Sequence, residues 1–186
     1  MKRWQILMAA VLAMPAGCAS STRDLPMVED VADSAYRLGP GDEVRIAVFG
    51  FDQMANSYIV GDSGTISLPM LSTVEVAGKT PREVEATIAQ TLRTRDLAPN
   101  ASVSVQVQKY RPIYILGEVQ KPGQYPYVPG MTVTTAVAIA GGYTFRANTR
   151  EASVRRGTGT AARRMRAGPD SAVQPGDTVD VPEAWF

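Results

Sequence analysis

The 186-residue chain carries 19 lysines and arginines against 18 aspartates and glutamates, and it contains one cysteine and no histidine. Without an imidazole, the Ser-His-Asp and Cys-His arrangements of nucleophilic catalysis are excluded, and so are most zinc sites. A lone cysteine excludes an intramolecular disulfide, and the formal net charge of +1 gives no support to nucleic-acid binding.

The N-terminus predicts a secretory signal peptide over residues 1–17. The basic pair Lys2-Arg3 precedes an apolar run from Trp4 to Met14, and Ala16-Gly17 stands directly before Cys18. A basic end, ~7–15 apolar residues and small residues at the cleavage point are typical of such signals, whereas a spanning helix needs ~20 apolar residues. The pattern therefore indicates a secreted protein.

The position of Cys18 resembles the lipobox of bacterial lipoproteins. This resemblance implies that Cys18 is the lipid attachment site and the first residue of the mature protein, with a lipidated tether over residues 18–35. Ala19 in place of aspartate implies transfer to the outer membrane, where the protein would be lipid-anchored on the periplasmic face. The alternative is an ordinary cleaved signal, with Cys18 lost or left as a free thiol.

The sequence predicts that the first folded region is an α+β module that begins near Tyr36. From Glu43 to Phe49, valine and isoleucine alternate with polar or small residues, which predicts a half-buried strand. Four more short strands are predicted at Ser57–Val60, Thr65–Leu68, Thr73–Val76 and Ala101–Gln108.

The clearest predicted helix begins at Thr80. The run Thr80-Pro81-Arg82-Glu83 has the form of a capping box with proline at the first helical position. Val84, Ile88 and Leu92 then follow at a spacing of four, so we expect them to form one buried stripe.

A second α+β module is predicted beyond a boundary near Tyr110. The apolar run Pro112–Val119 predicts a strand, and a short helix is predicted over Thr132–Ala140, before Gly141-Gly142. Three further strands are predicted at Ala152–Arg156, Ala162–Arg166 and Thr178–Val181.

The turn at the start of the first module has a similar sequence to a segment near the end of the chain. Leu38-Gly39-Pro40-Gly41-Asp42-Glu43-Val44 corresponds to Val173-Gln174-Pro175-Gly176-Asp177-Thr178-Val179. Proline fixes one backbone angle and glycine supplies a positive φ, so both stretches predict a tight turn that leads into a strand.

Seven turn-and-strand segments follow one another in a fixed order along the chain. They are Tyr36–Ile46, Asp62–Pro69, Val76–Thr80, Ile113–Val119, Lys121–Gly123, Pro129–Val133 and Ala140–Tyr143. In this order they resemble the outer-membrane polysaccharide export family of Wza-type lipoproteins. The resemblance implies an α+β fold with a polysaccharide export domain over residues 36–109. A soluble-ligand-binding β-grasp (SLBB) module would follow over residues 110–186.

This resemblance also implies a function and partners. The chain would be a non-catalytic component of a polysaccharide export conduit, acting as a homo-oligomeric ring with an inner-membrane co-polymerase as its partner. Wza-type proteins continue into further β-grasp repeats and a C-terminal helix that lines the outer-membrane pore, whereas this chain stops at Trp185-Phe186. We therefore expect a separate outer-membrane β-barrel as an additional partner.

Two functions of other classes stay open. One is a monomeric lipoprotein that binds a glycan or a small ligand through the β-grasp module. The other is a carbohydrate-active enzyme, for which Asp42-Glu43, Asp62 and Glu118 are the candidate carboxylates. Asp42 and Asp62 stand in turns, where a short side chain can bond its own backbone, so a structural role is favoured. We predict no catalytic residue, cofactor or metal.

Two sets of side chains are candidates for contact with a polymer or a partner. Seven arginines occur between Tyr143 and Gly168, with Glu151 as the only acid. They predict one of two surfaces: an electropositive edge that contacts a polyanion or a partner, or a solvated hairpin surface. They are Arg146, Arg150, Arg155, Arg156, Arg163, Arg164 and Arg166. Five tyrosines beside strands predict either sugar stacking or ordinary packing: Tyr110, Tyr114, Tyr125, Tyr127 and Tyr143.

Overall fold

The computed structural model describes residues 25–28, 36–157 and 159–184. The predicted signal peptide, Cys18 and the terminal pair Trp185-Phe186 lie outside the described residues. Two α+β modules are present, and the apolar residues of each form a separate core. The predicted fold class is therefore confirmed.

Five strands and one α-helix, which lie between Glu43 and Lys109, build the first module. Strand β1 lies at the centre of a three-stranded antiparallel sheet in the order β2-β1-β5, and β3 and β4 form a separate hairpin. The elements are β1 (Glu43–Val48), a 3-10 turn (Asp52–Met54), β2 (Asn56–Ile59), β3 (Thr65–Leu68), β4 (Ser72–Glu75), α1 (Pro81–Thr94) and β5 (Val103–Lys109).

The predicted capping box starts α1. The Glu83 backbone N–H donates to Thr80 Oγ1 at 3.2 Å, and the Thr80 backbone N–H donates to Glu83 Oε2 at 2.7 Å. The second of these bonds holds the pKa of Glu83 below its usual value. Val84, Ile88 and Leu92 are fully buried in one core with the inward-facing residues of β1, so the predicted stripe is confirmed.

The second module, whose strands and helix lie between Ile113 and Val181, has a five-stranded sheet in the order β7-β6-β10-β8-β9. Strands β6 and β10 are parallel, whereas the other neighbours are antiparallel. Helix α2 shares a core with one face of this sheet and has its own capping box between Thr132 and Thr135. The elements are β6 (Ile113–Gly117), β7 (Gly123–Tyr125), α2 (Val133–Ile139), β8 (Ala152–Arg156), a 3-10 turn (Gly159–Ala161), β9 (Arg163–Ala167) and β10 (Thr178–Val181).

A short N-terminal arm, residues 25–28, lies against the second module. The Val28 N–H donates to the Arg166 carbonyl and the Arg166 N–H donates to the Pro26 carbonyl, both at 2.7 Å. Val28 is 6% exposed and belongs to the second core. This part of the predicted tether therefore pairs with the edge strand β9 and contributes Val28 to the second core.

The predicted strands are present, with their ends shifted by at most two residues. The structure has one further strand, β7, which the sequence did not predict because it is three residues long and begins directly after Pro122. Within the described ranges, no helix combines the length and apolar character needed to cross a membrane.

Candidate functional site

The two echoed turns have the same internal geometry. In each, a carboxylate oxygen accepts a hydrogen bond from the backbone N–H three residues earlier: Asp42 from Gly39 at 2.7 Å, and Asp177 from Gln174 at 2.8 Å. The aspartate N–H returns a bond to the carbonyl of that same residue, at 3.1 and 3.0 Å respectively. The intervening glycine has a φ of +89° at Gly41 and +84° at Gly176, which explains why glycine is placed there.

Both aspartates are fully buried and each is paired with an arginine. Arg111 Nη1 lies 3.2 Å from an Asp42 carboxylate oxygen, and Arg156 Nη2 lies 2.9 Å from an Asp177 carboxylate oxygen. In each pair the aspartate stands directly before a strand, and the arginine stands at or just beyond the end of the antiparallel neighbour of that strand. A buried carboxylate needs such a partner because an uncompensated charge is costly to remove from water.

Arg111 also connects the two modules. Its backbone N–H donates to Asp42 Oδ1 at 2.9 Å, and its Nε donates to the Pro175 carbonyl at 2.9 Å. The Gly176 N–H donates to the Pro112 carbonyl at 3.1 Å. The arginine thus lies between the two turns, and a β-carbon would fall 2.1 Å from its guanidinium if added to Gly39, and 2.7 Å if added to Gly176.

Three tyrosines surround this joint. The Tyr36 hydroxyl donates to the Asp42 carboxylate at 2.5 Å, and Arg111 stands over the Tyr36 ring with its Cζ 5.9 Å from the centroid. Tyr110 meets Tyr36 and Tyr127 edge-on, with ring centroids 5.0 and 5.4 Å apart. Burial, together with the bond to Asp42, raises the pKa of Tyr36 far above its usual value.

The five tyrosines named from the sequence do not form one surface. Tyr110 and Tyr127 are half-buried at the joint, and Tyr143 is half-buried against the second core. The Tyr125 hydroxyl donates to the Lys121 carbonyl at 2.6 Å, whereas Tyr114 stands on the outer side of β6 with 44% of its surface exposed. Sugar stacking by this set as a whole stays a prediction.

The arginine-rich stretch forms the β8–β9 hairpin and its approach. The sequence around it offers Glu151 alone, but the fold adds three acids from β10 and the residues next to it. Four arginines are ion-paired: Arg146 with Glu183, Arg156 with Asp177, Arg164 with Asp180, and Arg166 with Glu151. The other three, Arg150, Arg155 and Arg163, are exposed and form no ion pair within the described part of the chain.

These ion pairs reduce the number of arginines that are available to contact a polyanion or a partner. They do not test whether such a contact occurs. An arginine already bonded to a carboxylate has less charge to offer a second anion. The prediction therefore depends most on Arg155 and Arg163 near the hairpin tip and on Arg150 at its base.

Two of the four candidate carboxylates, Asp42 and Glu118, bond within the fold, and Glu43 is half-buried at the start of β1. Asp42 is the turn residue described above, and Glu118 accepts a hydrogen bond from the Thr144 hydroxyl at 2.5 Å. Asp62 is exposed in the turn before β3. No three acidic or cysteine side chains among the described residues are close enough to hold a metal ion. The sequence did not predict a role for Arg111. The one signal for it was the repeated aspartate of the two turns, because a buried aspartate requires a cation as its partner.

Two family models match the chain, one after the other. Residues 30–108 match the polysaccharide biosynthesis/export protein family, and residues 112–169 match the SLBB domain family. Together they cover most of the sequence and meet at the joint around Arg111.

Proteins from several bacteria are similar to this chain. The exopolysaccharide production protein ExoF of Rhizobium meliloti is 37% identical over 142 residues, which are 70% of this chain and 32% of ExoF. The EPS I polysaccharide export outer membrane protein EpsA of Ralstonia nicotianae is 34% identical over 104 residues, 55% of this chain and 27% of EpsA. The polysialic acid transport protein KpsD of Escherichia coli is 27% identical over 109 residues, 58% of this chain and 19% of KpsD. The matches thus span a third or less of these relatives.

Proposed function

Since this chain belongs to the polysaccharide export family, with one export domain followed by one SLBB domain, we propose that it is a non-catalytic component of a polysaccharide export conduit. In this role several copies form a ring on the periplasmic face of the outer membrane. A growing surface polysaccharide passes through or along that ring.

The observation that carries the proposal is the pairing of the two domains in one chain, in the order in which they occur here. The names of the relatives support the same substrate class, since they refer to exopolysaccharide production, polysaccharide export and polysialic acid transport. The name of EpsA supports a place at the outer membrane. Lipid attachment at Cys18, which lies outside the described residues, would supply the anchor.

The joint between the modules supports a role as a ring subunit. A closed ring forms only when each copy presents its two contact surfaces at a fixed angle. Arg111 bonds both turns, and the Gly176–Pro112 backbone bond adds a second connection, so the two modules have several polar contacts at their junction. These contacts support a fixed angle between the modules, which repeated contacts in a ring require.

The proposed partners are further copies of this chain, an inner-membrane co-polymerase and a separate outer-membrane β-barrel. Catalysis forms no part of the proposal, and the bonds of Asp42 and Glu118 within the fold support this for two of the four candidate carboxylates. The polymer itself is the cargo.

Deletion of the gene in the source bacterium tests the proposal. We expect loss of surface polysaccharide, with polymer or precursors retained inside the cell, and recovery when the full chain is supplied. Light scattering on the detergent-extracted full-length protein should give a mass of several copies. Normal surface polysaccharide in the deletion strain would contradict an export role. A monomer at all concentrations would contradict the ring and favour a monomeric glycan-binding lipoprotein.

A further inference from the structure

A cleft of about 380 Å³ lies between the two modules, beside the Arg111 joint. Its walls come from the start of β1 and the end of β2, from the connection after β5, and from β7. The volume falls within the ~300–1,000 Å³ typical of small-molecule sites, which often occur at domain interfaces.

The polar side chains of this cleft have unused hydrogen-bonding capacity. Glu43 and Lys109 face each other across β1 and β5 as register partners, yet they form no ion pair. Gln124 is exposed on β7, and neither its amide nor the Tyr110 hydroxyl has a partner within the described ranges. One carboxylate, one ammonium, one amide and one phenol thus stand around a single concave space.

The apolar part of the lining contains four residues with rings, Tyr110, Pro112, Tyr125 and Pro126, together with Ile59. The C–H face of a pyranose packs on such rings, while its hydroxyls can donate to a carboxylate and accept from an ammonium or an amide. The opposite charges of Glu43 and Lys109 offset each other, which favours a hydroxyl-rich ligand without a high charge of its own.

The joint keeps the cleft in shape. Tyr110 is held edge-on between Tyr36 and Tyr127, and the next residue, Arg111, is bonded to both modules. A site whose walls are already fixed loses less entropy when it binds a ligand.

We propose that this cleft binds a short oligosaccharide segment of the exported polymer, with Glu43, Lys109 and Gln124 bonding sugar hydroxyls and Tyr110 and Tyr125 supporting the ring faces. The identity of the ligand as the exported polymer rests on the proposed function. The cleft gives the conduit subunit a specific contact with its cargo, separate from the arginines of the β8–β9 hairpin.

The test is calorimetric titration of the detergent-extracted full-length protein with oligosaccharides, prepared by mild acid hydrolysis of the source bacterium's surface polysaccharide. The double variant Glu43→Gln/Gln124→Ala should weaken binding at least about tenfold, because it removes one charged and one neutral hydrogen-bonding partner. Gln106→Ala is the matched control, since Gln106 is also an exposed glutamine on a strand but does not line the cleft. It should bind as the wild type does.

Absence of binding by the wild type, or equal affinity of the double variant and the control, would overturn the cleft as a glycan site. Closure of the cleft by a second copy of the chain, seen as protection of Gln124 on oligomerisation without sugar, would also overturn it. The proposed function is judged separately by export in the deletion strain. If export requires the gene but the cleft binds no oligosaccharide, only this inference is contradicted. If the deletion strain exports polysaccharide normally, the proposed function is contradicted.

Discussion

Arg111 pairs with Asp42 across 69 positions of sequence, at 3.2 Å, and the same guanidinium bonds the Pro175 carbonyl of the second module. Asp42 is fully buried while the arginine side chain is 28% exposed, so the carboxylate depends on a cation that stands at the rim of the joint. The charge pair therefore serves two purposes at once. It compensates a buried aspartate, and it connects the modules.

Arg111→Ala should lower the free energy of unfolding by about 2–4 kcal/mol, because it leaves the Asp42 carboxylate buried without a counter-charge. Urea unfolding followed by circular dichroism measures this loss. Arg37→Ala is the matched control, since Arg37 pairs with Glu83 at the surface, where both side chains are more than half exposed, and should cost about 0–1 kcal/mol. Equal effects of the two variants would show that the joint contributes no more than a surface pair.

The alkaline stability of the protein should depend on Tyr36. Burial and the bond to Asp42 raise the pKa of its hydroxyl, so the stabilisation is complete below the usual tyrosine value of about 10 and is lost as the pH rises above it. Tyr36→Phe should reduce the fall in unfolding free energy above pH ~10 by up to about 1.4 kcal/mol per pH unit. Identical slopes for wild type and Tyr36→Phe between pH 10 and 12 would contradict this account.

The N-terminal arm should stabilise the second module. Val28→Ala removes two methyl groups from that core and should cost about 1–2 kcal/mol, whereas Met27→Ala, at a residue 50% exposed, should cost less. Hydrogen exchange gives a local readout, because the Arg166 N–H donates to the Pro26 carbonyl. Its exchange should accelerate in Val28→Ala and stay slow in Met27→Ala. An equally protected Arg166 amide in both variants would mean that Val28 does not hold the arm to β9.

Local patterns account for what the sequence predicted well. The alternation in β1 and the capping box at Thr80 depend on neighbouring residues, and both appear as predicted. The sequence also showed that Asp42 and Asp177 occupy similar turns. It did not show that Arg111 pairs with Asp42, because no local pattern joins two residues so far apart. The same limit applies to three of the four paired arginines, since their acids, Asp177, Asp180 and Glu183, come from β10 and the residues next to it.

The last prediction concerns the exposed arginines at the hairpin tip. Arg155→Gln/Arg163→Gln should leave the free energy of unfolding within about 0.5 kcal/mol of wild type, because neither side chain is ion-paired in the described part of the chain. Arg156 is left in place, since its loss would leave Asp177 buried and unpaired. If the tip contacts polymer or a partner, surface polysaccharide or the mass of the oligomer should fall in cells that carry this variant.

Arg82→Gln/Arg93→Gln on α1 is the matched control, because it removes the same charge from exposed positions of the first module. It should change neither export nor oligomer mass. An equal fall in both variants would mean that total charge matters and that the hairpin tip has no special contact. Unchanged export and unchanged mass in the tip variant would leave Arg155 and Arg163 as solvated surface residues, since an arginine that meets a partner anion cannot be replaced by glutamine without weakening that contact.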